Sequence, residues 1–198
     1  MRQALRPCPT IAAVKTRHFL QLVLLSALWG ASFLFIRIAS PVLGPNVMAA
    51  LRIGLATLTL IGIMRIANES WPWSHWRELF GLGTLTVALP FLLYAWAALH
   101  LPAGYSSLLN TMAVPFGVIA AAWMKEDTLS ARKWLGCISG FAGVALIVQL
   151  GPVQPTPALL LAAAACVTAS ACYGISTTWM KRATQRMSPL SIAAGIHA

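Results

Sequence analysis

Acid is what this chain has least of. Four Asp and Glu residues stand against fourteen Lys and Arg in 198 residues, and charged side chains make up 9% of the sequence. A soluble domain carries about 25%. So few acids rule out a carboxylate metal cage or a paired-carboxylate acid/base site. A lone Asp127 cannot hold Mg²⁺ on a diphosphate as prenyl transfer requires. Histidine is absent from the middle of every apolar run: His18, His75, His100 and His197 sit at run ends or in connectors. Gly30-Ala31-Ser32 therefore has no base within reach that would make Ser32 a nucleophile. Cys8, Cys137, Cys166 and Cys172 form no C-x-x-C pair, and the last three lie in apolar runs, where cysteine behaves as a small hydrophobe. Neither a disulfide framework nor a metal site is expected. G-x-x-x-x-G-K-[ST] is also missing, so ATP hydrolysis on a P-loop is excluded. No enzyme class and no cofactor fits these absences.

What is present is oil. Hydrophobic residues make up 59% of the chain and mean hydropathy is +0.76. No soluble fold of this length could hide that much apolar surface, so the surplus faces lipid. Crossing about 30 Å of hydrocarbon takes roughly 20 residues of helix. Six stretches meet or nearly meet that length, at about 19–38, 47–66, 79–99, 104–124, 134–150 and 157–179, the fifth being the shortest. They must be helical, because lipid offers backbone groups no partners. The fold class is all-α: a polytopic transmembrane bundle of six spans with the stub of a seventh. The first run, "FLQLVLLSALWGASFLFI", is too long for the apolar core of a cleaved signal peptide and reads as a retained helix. "SPVLGP", "NESWPWSHWRE", "HLPAG", "KEDTLSARK" and "GPVQPTP" are the connectors. Trp71, Trp73, Trp76, Trp134 and Trp179 fall near run ends, at interfacial positions.

A net charge of +10 could suggest nucleic acid, but the placement of the bases argues for topology instead. Arg2, Arg6, Lys15 and Arg17 precede the first span; Arg65 and Arg77 flank the second connector; Lys125, Arg132 and Lys133 fill the fourth; Lys181, Arg182 and Arg186 follow the sixth span. The alternate connectors carry none. By the positive-inside rule the N-terminus, with its leader at 1–18, is cytoplasmic. Arg37 and Arg52 are left over. Arg37 lies at the outer end of span 1, where it can snorkel to the interface.

The chain also repeats itself. Sliding it until Ser26 meets Ser170 aligns "SALWGASFLFIR" with "SACYGISTTWMK" without gaps. Trp29 meets Tyr173, Gly30 meets Gly174, Ser32 meets Ser176, Arg37 meets Lys181, and Pro45 meets Pro189. The unit has five spans, an odd number, so the second copy enters the bilayer inverted. Inverted repeats with a site near the midplane are a common architecture of secondary transporters.

Four stretches in order resemble the drug/metabolite transporter superfamily, specifically its EamA-type members. They are "LLSALWGASFLFIR", "AALRIGLA", "ALHLPAGYSSLLNTMAVPF" and "WMKEDTLSARKWLGCISGFAGVAL". The resemblance implies one five-helix unit over 19–150 and the start of a second over 157–198. It also implies a multi-pass protein of the bacterial inner (plasma) membrane that moves small metabolites or drugs, often outward, by alternating access. Family members typically have ten helices in two inverted units. This chain ends at "SPLSIAAGIHA", so the other reading is a truncated, transport-inactive membrane fragment or assembly partner.

Arg52 heads the candidate cavity residues. It lies about 9 Å past the outer end of span 2, on a face shared with Ala49, Ala56 and Thr59. A charge within a span costs at least about 2.5–3.5 kcal/mol, so it calls for a reason. Arg52 faces an anion or carboxylate in the outer cavity, or it snorkels outward, or it is held by backbone carbonyls as scaffold. The resemblance places an arginine here under each of these readings. Ser107, Asn110, Thr111 and Val114 form a mostly polar stripe on span 4, with Asn110 at the depth of Arg52 and Tyr94 of span 3 at a similar level. They are interhelical hydrogen-bonding groups or ligand contacts. Trp29 and Ser32 fall near the midplane of span 1, as packing or cavity wall. Pro90 and Pro115 interrupt spans 3 and 4 and are expected to kink them. Glu126, where the resemblance places a glutamate, is expected to form a cytoplasmic ion cluster with Asp127, Lys125, Arg132 and Lys133. Gly136-x-x-x-Gly140, with Gly143, permits close approach of another helix, within the chain or in a self-associated pair. Lipid and a small-molecule substrate are the expected partners; nucleic acid is not.

Overall fold

A computed structural model describes residues 16–150 and 156–198, without the side chains of residues 147–150. Most of the leader, with Arg2, Arg6, Lys15 and Cys8, and most of the "GPVQPTP" connector lie outside the described residues. The described residues form seven helical segments in order: α1 (Thr16–Leu43), α2 (Pro45–Ile66), α3 (Trp73–Ala97), α4 (Ala103–Trp123), α5 (Ala131–Leu150), α6 (Pro157–Ala183) and α7 (Pro189–His197). α1, α2, α3, α4 and α6 are each long and apolar enough to cross a membrane. The protein is a polytopic helical bundle. α5 is the 20-residue fifth segment, and it gains its length by starting upstream at Ala131.

Local sequence explains the helix starts. Pro45, Pro157 and Pro189 each stand in the first turn, where a missing N–H costs nothing. Thr156 and Ser188 cap α6 and α7 by accepting from Leu159 N (3.2 Å) and Ser191 N (3.1 Å). The α1–α2 turn turns on Gly44 alone, at φ 79°, a region that favours glycine. α1 therefore runs on through Ser40 and Pro41 to Leu43, further than the connector "SPVLGP" implied.

Prolines shape the interiors of α3 and α4. Pro90 has no N–H to give, and just before it residues Thr84–Ala88 form a π turn in which Leu89 N–H bonds Thr84 O. In α4 the ladder breaks between Asn110 and Ala113, with tight bonds from Met112 N to Leu109 O (3.1 Å) and from Val114 N to Thr111 O (3.1 Å). Thr111 is the residue four before Pro115, whose carbonyl the proline ring crowds.

Two compact units divide the chain, Met1–Ser32 and Phe33–Ala198. In the second, α6 is the central helix, packed along α3 and α4, while α7 packs on α2 and the start of α3. Small residues on α6 make this possible: Ala162, Ala163, Cys166, Ala169 and Gly174 are all buried. The largest apolar cluster joins Ala162, Ala163, Cys166 and Ala169 to Phe33, Ile36, Tyr94, Leu101, Tyr105 and Leu109. Arg37 is not a free snorkelling base: its Nη1 donates to the carbonyl of Ala98, tying the end of α1 to the α3–α4 turn. Trp179 likewise is no simple anchor, since its ring lies against Gly81 of α3.

Candidate functional site

The polar groups inside the second unit gather where α2, α3, α4 and α6 meet. Tyr94 of α3 is 3% exposed, so its hydroxyl needs partners. It donates to Asn110 Oδ1 of α4 at 2.9 Å and lies 3.0 Å from Ser170 Oγ of α6. Ser170 Oγ is in turn 2.9 Å from both Leu109 O and Cys166 O. One phenol thus bridges three helices. The Tyr94 ring stacks on Tyr173 with centroids 6.2 Å apart and meets Phe33 edge-on at 5.2 Å. Such polar bonds between membrane helices contribute about 0.6–2 kcal/mol each. Tyr94→Phe is expected to lower the melting midpoint of the purified protein by about 2–4 °C. An unchanged midpoint would mean that the hydroxyl contributes nothing net.

Arg52 of α2 approaches the same junction. Its guanidinium carbon stands 4.1 Å from the centroid of the Phe91 ring, close enough for a cation–π contact. Tyr173 is within electrostatic reach. Among the described residues no carboxylate forms an ion pair with the guanidinium. It is partly buried.

The other expected residues fall differently. Thr111 is exposed and bonds back to Leu108 O at 2.7 Å, and Val114 is 70% exposed. Only Asn110 of that stripe joins Tyr94. Trp29 and Ser32 belong to the first unit, where they lie three apart on one face of α1. The charges expected to cluster around Glu126 divide into two groups. Glu126 does not pair with Lys133; it accepts from Arg182 Nε at 2.7 Å, with Lys181 Nζ at 3.7 Å, while Lys133 pairs with Asp127. Arg182's hydrogen bond holds the Glu126 carboxyl below the usual carboxylate range, and Lys133's does the same for Asp127. Both pairs are thus intact above that range and part as pH falls through the lowered values. Gly140 is occupied within the chain, 3.6 Å from Met112 and 3.9 Å from Pro115 for an added methyl, while Gly136 meets nothing within 4 Å.

Sequence reasoning missed Phe91, Tyr173 and Ser170 as neighbours of the candidates. Two of them had a signal: Ser170 and Tyr173 stand in the repeat opposite Ser26 and Trp29. A separate cleft of about 360 Å³ between α2, α3 and α7 is lined by Trp71, Trp73, Trp76 and Phe80. Its apolar walls suit acyl chains better than a polar solute.

Residues 18–149, from α1 to nearly the end of α5, match the family model described as EamA-like transporter family. An uncharacterized transporter of Archaeoglobus fulgidus is 23% identical over 178 residues, covering 90% of this chain and 62% of that protein. The uncharacterized transporter YvbV of Bacillus subtilis is 29% identical over 189 residues, 91% of this chain and 59% of its own. Protein PecM of Dickeya dadantii is 24% identical over 136 residues, 69% and 44%. The chain spans about three fifths of the length of the first two.

Proposed function

The chain belongs to the EamA-like transporter family, and on that footing we propose that it is a secondary transporter of small metabolites or drugs across the inner (plasma) membrane. It works by alternating access, outward in the favoured direction, with its N-terminus in the cytoplasm and no ATP. The observation that carries this reading is Arg52: a guanidinium inside a span, held over Phe91, with no anion among the described residues to neutralise it. Burying such a charge is costly unless a partner arrives. A solute carboxylate or other anionic group is that partner, and the aromatic faces of Phe91 and Tyr173 would receive its apolar part. Tyr94, Asn110 and Ser170 hold the helices that carry the site. Asn110 and Tyr94 act through position.

The test is exchange. Full-length protein in liposomes should accelerate counterflow of radiolabelled small organic anions without nucleotide, above empty liposomes. Failure across carboxylates, amino acids and organic cations alike would favour the transport-inactive reading.

A further inference from the structure

Three of the chain's four acids reach away from their own loops to one stretch of chain. Glu69, in the α2–α3 connector, accepts from Ser188 Oγ at 2.5 Å and from Ser191 Oγ at 2.9 Å. Glu78, at the start of α3, accepts from Arg186 Nη2 at 2.8 Å. Glu126, in the α4–α5 connector, accepts from Arg182 Nε, whose guanidinium also donates to Met124 O at 3.1 Å. All the partners lie between Lys181 and Ser191: the end of α6, its connector and the first turn of α7. In the repeat, that stretch belongs to the second unit and the three acids to the first.

Backbone geometry aims two of these acids. α2 and α4 both end with a residue in the left-handed region, Asn68 at φ 53° and Lys125 at φ 59°. Glu69 N then bonds Met64 O and Glu126 N bonds Ala121 O, each reaching back five residues as in a Schellman cap. The two glutamates therefore occupy the same position after equivalent helix ends. Behind the polar rim sits a small apolar plug of Leu79, Leu82, Ala183 and Ile192. Exposed ion pairs contribute little to a fold and weaken with salt. Several weak, aligned contacts around a plug are instead suited to closing and reopening.

We propose that these contacts are a latch at the cytoplasmic end, joining the loops of the first repeat to the α6–α7 segment, which must part before the pathway opens on that side. The inference rests on the alternating-access reading above. Ser188, which donates to Glu69, also caps α7 by accepting from Ser191 N, so the latch ends on the first turn of that helix.

Cys172 of α6, buried and about 15 Å along the helix from Arg182, is a native reporter. Inside-out membrane vesicles are treated with a membrane-impermeant maleimide, and fragment-level peptide mapping separates Cys172 from Cys8, Cys137 and Cys166. Glu126→Arg, which sets like charges against Arg182 and Lys181, should raise Cys172 labelling about fivefold or more, and wild-type labelling should rise with salt. Glu126→Arg combined with Arg182→Glu restores the pairing and should return labelling toward wild type. Flat labelling in the single variant, or labelling that stays high in the swapped pair as its melting midpoint falls, overturns the latch and leaves the contacts to fold stability. Labelling is read without solute. If it follows the charge pattern while liposomes exchange nothing, the opening motion stands and the transport reading fails. If exchange is measured but labelling is flat, the latch alone fails.

Discussion

Arg52→Ala should lower solute exchange by about 10- to 100-fold while leaving membrane abundance at or above wild type. The two effects have opposite signs for one physical reason. A charge-assisted hydrogen bond to a solute anion is worth about 1.5–3 kcal/mol, which sets the size of the loss. The guanidinium itself is a burden on insertion, about 2.5–3.5 kcal/mol within a span, so its removal does not harm assembly. The Phe91 contact returns a fraction of that, about 0.5–2 kcal/mol. Arg52→Lys keeps the charge but loses the planar fork, and should fall between the two. Exchange per molecule and abundance by immunoblot are measured side by side. Equal losses in both would make Arg52 part of the scaffold, held for the sake of Phe91 and Tyr173, and would remove the main support for an anionic solute.

Where the sequence was sufficient, one strong force acted alone. The helices could be counted because twenty apolar residues in a row have one low-energy fate in lipid. The loops after α2, α4 and α6 could be assigned to one end because their bases alternate, and Glu69, Glu78 and Glu126 do meet the α6–α7 stretch there. Prediction ran out where several weak contacts competed. Glu126 has Asp127, Lys125, Arg132 and Lys133 close by in sequence, yet the left-handed turn at Lys125 points it at Arg182, 56 residues on. Nothing local in "KEDTLSARK" encodes that direction. Arg37 was assigned to water because its own helix offers nothing else, and the Ala98 carbonyl lies 61 residues away. Thr111 looked like part of the Asn110 stripe because an unbroken helix would place it there. The break over Thr111 and Met112 turns its face outward.

The largest structural effect is expected at Gly174. α6 and α4 cross there so closely that a Cβ on Gly174 would stand 2.6 Å from Gly117 N, 2.6 Å from Phe116 Cβ and 2.7 Å from Phe116 C. Two of those atoms are backbone, and no rotamer change moves them. Such crossings at small residues are the usual basis of helix association in lipid. Gly174→Ala should therefore cost about 3 kcal/mol, the upper end for overpacking, and lower the melting midpoint by about 6–12 °C. Gly174→Leu should prevent accumulation of folded protein. The partner glycine predicts the opposite. A Cβ on Gly117 points at Thr177 Oγ1, 3.4 Å away, and at Gly174 Cα, 3.7 Å away, so Gly117→Ala needs only a small hydroxyl shift. Gly136→Ala, with nothing within 4 Å, is the matched control, and its helix propensity alone predicts a slight gain. Thermal melting of the three alanine variants in one detergent decides the matter. If Gly117→Ala and Gly174→Ala fall together, the crossing is loose and its contacts average over many arrangements. If Gly174→Ala alone falls, the α4–α6 contact is a fixed joint about which any rocking of the bundle must turn.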